Sequence, residues 1–166
     1  NLQNLLAYIL DGFAHAAEAL VGKAIGKKDQ RILHETINVC LRWSIYIAVF
    51  ISIFYLFFGK NILQIMTQHR NIQEAAIEYL PWMIISPIIS VWSFLYDGVF
   101  IGATRSKEMR DAMLGSLFVV FLPSWFLLQP LGNHGLWLAF TIFMISRGVS
   151  MYLFYKRTNF ITFSHR

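Results

Sequence analysis

The chain has 166 residues, of which 57% are apolar, 16% aromatic and only 14% charged, with a formal net charge of +5. Soluble domains run near about 45–50% apolar and 25% charged; here the few charges also sit in short clusters, which excludes an ordinary water-soluble domain. A single cysteine, Cys40, excludes an internal disulfide framework and a cysteine-based zinc cluster, and the five histidines (His15, His34, His69, His134, His165) show no metal-ligand spacing.

The first predicted membrane helix covers residues 2–25. Asp11, His15, Glu18 and Gly22 fall at i, i+4, i+7 and i+11 on one of its faces, among Ala, Leu, Ile, Val and Phe. An acid near the centre of a bilayer helix costs roughly 2.5–3.5 kcal/mol on insertion scales. Two acids on one stripe are therefore expected to face protein or a water-filled interior, not lipid. Gly22 and Gly26 form a small-xxx-small pair that lets a neighbouring helix come close. No basic region or cleavage site precedes this run, so it does not read as a signal peptide. A helix already under way at residue 1 is the expectation for a fragment of a longer chain.

Lys27, Lys28 and Arg31 follow, and the second helix spans 39–58, with Arg42 at its start and no charge from Trp43 to Phe58. The polar segment Gly59–Glu78 places Ile72, Ala75, Ala76, Tyr79 and Leu80 at helical spacing. It reads either as a helix lying along the interface or as a solvated helical loop. The third helix, 79–104, carries Asp97, with Pro81 and Pro87 expected to bend its outer part. The fourth, 112–131, is uncharged and holds Pro123 and Pro130, again expected to bend it. Gly132-Asn133-His134-Gly135 predicts a tight turn into the fifth helix, 135–155, which contains Arg147. Each run is close to the ~20 residues that cross about 30 Å of hydrocarbon, and none alternates at period two. The fold class is an all-α membrane protein with five transmembrane helices.

Lysine and arginine set the expected orientation. One side collects Lys23, Lys27, Lys28, Arg31, Arg42, Arg105, Lys107, Arg110, Lys156, Arg157 and Arg166; the other has Lys60 and Arg70. This bias puts the C-terminus in the cytoplasm. Trp82, Trp125 and Trp137 then belong to the outer interface, with Trp43, Tyr152 and Tyr155 at the inner one. The basic residues are topology signals, and no nucleic-acid module is present.

Asp11, Glu18 and Asp97 are the cation-coupling or cavity candidates, because ionisable groups inside a membrane are functional by default. Hydrogen bonding to neighbouring helices is the plainer alternative for each. Arg147 reads as a counter-ion. By a rise of about 1.5 Å per residue, Arg147, Asp97 and Glu18 lie some 12–13 Å from the same edge, which predicts that Arg147 pairs with Asp97 or Glu18. His15 is a possible proton relay. Trp92 and Tyr96, with Phe94 and Phe100, form a possible aromatic wall for flat cations. No nucleophilic triad, phosphate loop or dinucleotide fingerprint is present, so no catalytic residue, metal site or bound cofactor is expected and the chain does not read as an enzyme.

Leu10–Asp29 (LDGFAHAAEALVGKAIGKKD), Tyr96–Met113 (YDGVFIGATRSKEMRDAM) and Gly132–Phe143 (GNHGLWLAFTIF) resemble the DinF-type branch of the multidrug and toxic-compound extrusion (MATE) family. The resemblance runs across essentially the whole chain. It implies a twelve-helix transporter of two six-helix lobes, with residues 1–166 as helices eight to twelve, a partial C-terminal lobe. It also implies a bacterial inner-membrane antiporter that exports cationic or amphiphilic compounds in exchange for protons or sodium ions by alternating access. The missing N-terminal helices and the bilayer would be its partners. In DinF-like members the resemblance implies proton-coupling acids in the N-terminal lobe, outside these helices. Other branches use an acid of the seventh helix and one of the tenth, and Asp97 is the acid in the helix corresponding to the tenth here. Two rivals are a lipid-linked substrate flippase, which would need several cavity cations, and a membrane-embedded enzyme, which would need a polar cluster. A third is a non-functional truncated fragment.

Overall fold

The structure is a computed structural model and describes residues 2–66 and 69–157. His165, and Arg166 with its share of the expected C-terminal charge, lie outside the described residues. The described residues form helices and short connections, without a strand. The elements are α1 (Leu2–Gly26), α2 (Gln30–Met66), α3 (Arg70–Glu78), α4 (Leu80–Gly102), α5 (Ser106–Gly115), a π turn (Ser116–Phe121), α6 (Leu122–Leu128), a 3-10 turn (Gln129–Leu131) and α7 (Gly132–Arg157).

Helix α4 is the hub, touching α1, α2, α3, α5 and α7. Its sequence explains this. Small residues alternate with bulky apolar ones, so neighbours approach on several sides. A Cβ at Gly98 would overlap the Ala14 carbonyl oxygen, and one at Gly102 the Glu18 carbonyl oxygen. The two glycines therefore bring α4 onto the backbone of α1, as a small-xxx-small pair does. Gly22 answers from α1, where a Cβ would lie 3.4 Å from the Gly102 oxygen, whereas a Cβ at Gly26 would meet nothing within 4 Å. On α1 the packed stripe is Leu6, Leu10, Ala14, Ala17, Val21 and Ala24. The core falls into two clusters along the bundle. One gathers around Val21, Leu33, Ile37, Val99, Phe100 and Met151. The other gathers around Leu10, Ile51, Tyr55, Leu80, Met83 and Val91.

Helix α2 is longer than its apolar stretch. It has 37 residues, about 55 Å, and runs unbroken through Arg31 and Arg42 and past Lys60. Its start is set by Asp29, whose Oδ1 accepts the N–H groups of Arg31 and Ile32 at 2.9 and 3.2 Å, an ordinary N-cap. By length and hydropathy three runs suit a membrane crossing: Gln30–Met66, Leu80–Gly102 and Ser106–Arg157. The last is two legs, because α7 packs back on α6 and on the π turn. Helix α1, 25 residues long, carries Asp11, Glu18 and Lys23 within its length.

Pro81 acts differently from expectation. Pro81 sits in the first turn of α4, where its missing N–H was unbonded anyway, so it starts the helix without bending it. Pro87 lies inside α4. Pro123 follows the π turn, in which the Leu122 N–H reaches back to the Leu117 oxygen. A wider turn there relieves the clash between a proline ring and the preceding turn. The 3-10 turn holds Pro130, and Gly132, at φ +57°, makes the reversal into α7. The segment 59–78 is divided between the end of α2 and α3, which has no buried residue.

Candidate functional site

Between α4 and α7 a polar seam is built at helical spacing. Ser86, Ser90, Ser93 and Asp97 recur at i, i+4, i+7 and i+11 on α4, and the three serines are buried. Ser93 Oγ donates to the Met144 carbonyl at 2.9 Å. One turn further, an Arg147 terminal nitrogen donates to Asp97 Oδ2 as an ion pair. The Arg147 and Asp97 side chains are only 13% and 17% exposed. Gly148 permits the approach, with its position for a Cβ 3.2 Å from Trp92 Cβ and 3.5 Å from Ser93 Oγ.

The pair is not fully satisfied. Asp97 Oδ1 and Arg147 Nε are buried without a hydrogen-bond partner among the described residues. Asp11 is near enough for its charge to act on Asp97. Arg147 thus engages one oxygen of Asp97 and leaves a buried acceptor oxygen beside it, an arrangement that fits a proton or a small cation.

Asp11 and Glu18 are half-buried, since they lie about 100° round the helix from the packed Leu10–Ala17 stripe. Glu18 meets His15 Nδ1 at 3.3 Å, with side chains 38% and 78% exposed respectively. His15 is therefore joined to Glu18, at the bundle surface, and Glu18 is not the partner of Arg147.

A separate cleft of about 1000 Å³ opens between the N-terminal half of α2, α4 and the C-terminal half of α7. Trp92 and Tyr96 line it, while Phe94 packs beside the Leu10–Tyr55 core and Phe100 is buried in the other core. Its mouth has a 2.6 Å hydrogen bond between the Tyr155 hydroxyl and His34 Nδ1. Lys156 Nζ lies 4.8 Å from the centre of the Tyr152 ring, a cation–π distance. At the opposite end of the bundle, Trp82 Nε1 donates to His134 Nδ1 at 3.1 Å, and His134 Nε2 meets Glu78 Oε1 at 3.0 Å. Sequence reasoning missed the serine stripe and both histidine contacts. The serine spacing was a readable signal; the histidine partners, more than fifty residues away, left none.

The MatE family model matches residues 1–127. "DNA damage-inducible protein F" of Escherichia coli (strain K12) is 41% identical over 156 residues, covering 94% of this chain and 34% of that protein. "Protein DETOXIFICATION 42" of Arabidopsis thaliana is 25% identical over 142 residues, covering 84% of this chain and 27% of that one. "Probable multidrug resistance protein NorM" of Photorhabdus laumondii is 20% identical over 163 residues, covering 94% and 36%. The crystal structure of the eukaryotic MATE transporter AtDTX14 superposes with a TM-score of 0.86 at 17% identity, covering 96% of this chain and 36% of that one. The chain spans about a third of the length of the curated relatives it matches.

Proposed function

We propose a function from one premise: the chain belongs to the MatE family, and is therefore a membrane transporter sequence and not an enzyme. It serves as the greater part of one lobe, helices eight to twelve, of a cation-coupled efflux antiporter whose substrates are amphiphilic or cationic small molecules. The name of the NorM relative, a multidrug resistance protein, supports the substrate class. The coupling ion is a proton or sodium, taken up at Asp97. The observation that carries this is the buried Asp97 carboxylate, with one oxygen on Arg147 and the other unpartnered.

The chemistry follows from charge. A proton or Na⁺ on Asp97 removes the attraction that holds Arg147 between α4 and α7. A buried arginine that loses its counter-ion is costly by roughly 3–5 kcal/mol. Relief comes from a shift of α7 against α4, or of Arg147 toward Asp11. The ion moves the inward–outward balance by as much as its affinities for the two states differ. Rocking of two lobes about a cavity would convert that bias into alternating access. Asp11 and Glu18, half-buried on α1, supply further negative charge on either side of the Asp97 level, since Gly98 meets Ala14 and Gly102 meets Glu18. A flippase for a lipid-linked pyrophosphate is less well supported, because Arg147 is engaged by Asp97.

The test uses the intact protein in proteoliposomes. Asp97→Asn should lower ion-driven efflux by at least about tenfold at normal expression. Arg147→Gln and the double variant should show a coupling well above the ~0.5 kcal/mol typical of independent sites. Unchanged efflux and ion exchange in Asp97→Asn would overturn the assignment.

A further inference from the structure

The cleft beside the polar seam has no part in that coupling scheme, and its chemistry is unlike that expected for a cationic guest. Its single formally charged lining residue among the described residues is Lys156, and that charge is positive. The carboxylates near the mouth are engaged elsewhere: Asp29 caps α2, and Glu35 binds Arg31 at 2.9 Å. Lys27, Lys28, Arg31, Lys156 and Arg157 share this end of the molecule with those two acids, leaving it net positive. Below the mouth the walls turn apolar, with Ile88, Trp92, Ile145 and Val149 about half exposed.

Shape agrees with charge. Along α7 the lining runs from Lys156 to Met144, twelve residues, or about 18 Å. One leaflet of hydrocarbon is about 15 Å deep, half of the ~30 Å core. The cleft is thus one leaflet long, cationic at the aqueous end and apolar below. Its volume, about 1000 Å³, stands at the upper end of the roughly 300–1,000 Å³ range of small-molecule sites.

We propose that this cleft binds an anionic phospholipid, with its phosphate at Lys156, Gln30 and His34 and an acyl chain against Trp92, Ile145 and Val149. Basic pockets between transmembrane helices recognise anionic headgroups in this way. The cation–π contact with Tyr152 holds the Lys156 stem along the helix while leaving its N–H donors for the phosphate. The Tyr155–His34 bond ties α7 to α2 at the mouth, so an occupied cleft bridges three helices.

Trp92 provides the readout. The intact protein is placed in phosphatidylcholine vesicles with rising fractions of phosphatidylglycerol carrying brominated chains, and brominated phosphatidylcholine is the control. The Trp92 signal is the difference between wild type and Trp92→Phe. Half-quenching should come at about fivefold lower mole fraction for the glycerol lipid, the worth of one interfacial cation. Lys156→Gln should bring the two lipids together, while Lys156→Arg keeps them apart. Equal quenching by both lipids in the wild type would reduce the cleft to ordinary annular contact and overturn the proposal. Two other results would also overturn it: a preference that survives Lys156→Gln, or an absence of Trp92-dependent quenching, as when protein fills the cleft.

Discussion

Gly98 and Gly102 decide how closely the two central helices lie, because a side chain at either would enter the space of a carbonyl oxygen on α1. The oxygens belong to helix backbone and cannot swing aside, so a methyl group must push the helices apart. Overpacking of this kind costs roughly 1–3 kcal/mol. Gly98→Ala or Gly102→Ala should therefore lower the midpoint of thermal unfolding in detergent. Gly12→Ala is the control: nothing lies within 4 Å of its Cβ position, and alanine is favoured over glycine by about 1 kcal/mol in a helix, so stability should hold or rise. Equal loss in all three would mean that α1 and α4 do not meet through these glycines. Residue pairings were legible in proportion to how far they depend on depth alone. The rise per residue put Arg147, Asp97 and Glu18 at one level, and the structure joins Arg147 to Asp97. The structure does not keep Glu18 at that level: it stands beside Gly102, five residues or about 7.5 Å along α4 from Asp97. Its partner is His15 on its own helix, because packing sets the register and azimuth of α1 against α4 and depth counted from an edge does not.

Among the elements, the run from Ser106 to Leu131 departs most from a regular helix, and the reason is local. Pro123 lacks an N–H and its ring crowds the turn before it; the π turn at Ser116–Phe121 widens the backbone at that place. That turn faces α7, where Ser146 Oγ lies 3.4 Å from Ser116 Oγ. Cysteines at both positions, in a Cys40→Ser background, should form a disulfide on mild oxidation; failure to cross-link would mean that the π turn faces away from α7. The sequence showed that a proline would disturb this helix, but not whether by a bend or a wider turn, because the choice depends on what α7 demands of Ser116. Helix α2 shows the opposite limit. Apolar runs mark the stretch suited to lipid, not the helix, and hydrogen bonding continues through Arg31 to Lys60 because no breaker intervenes. At the far end, His134 bridges Trp82 and Glu78, fixing the end of α3 and the start of α4 to the first turn of α7. His134→Ala should speed backbone hydrogen exchange across residues 129–136, and unchanged exchange there would make the bridge incidental.

Across the whole molecule, the two ends of the bundle differ in charge as well as in structure. One end holds the α1–α2 connector, the α4–α5 connector at residues 103–105 and the end of α7; the His34–Tyr155 contact brings α2 and α7 together there. The other holds the junctions α2–α3 and α3–α4 and the reversal at Gly132, joined by His134. Among the described residues Lys23, Lys27, Lys28, Arg31, Arg105, Lys107, Arg110, Lys156 and Arg157 lie toward the first end, and Lys60 and Arg70 toward the second. Arg42 lies between, about 18 Å along α2 from its start. Positive charge is retained on the cytoplasmic side of short loops, so the first end should face the cytoplasm. Lys107, in the first turn of α5, and His69, at the start of α3, are both exposed. They stand at opposite ends of α4, whose 23 residues span about 34 Å. Cysteine at position 69, in a Cys40→Ser background, should react with an impermeant thiol reagent in whole cells, and cysteine at 107 only after permeabilisation. The reverse pattern would invert the topology. Labelling of both in whole cells would break the link between the charge bias and the bundle's two ends, because no single orientation of α4 exposes both to the outside.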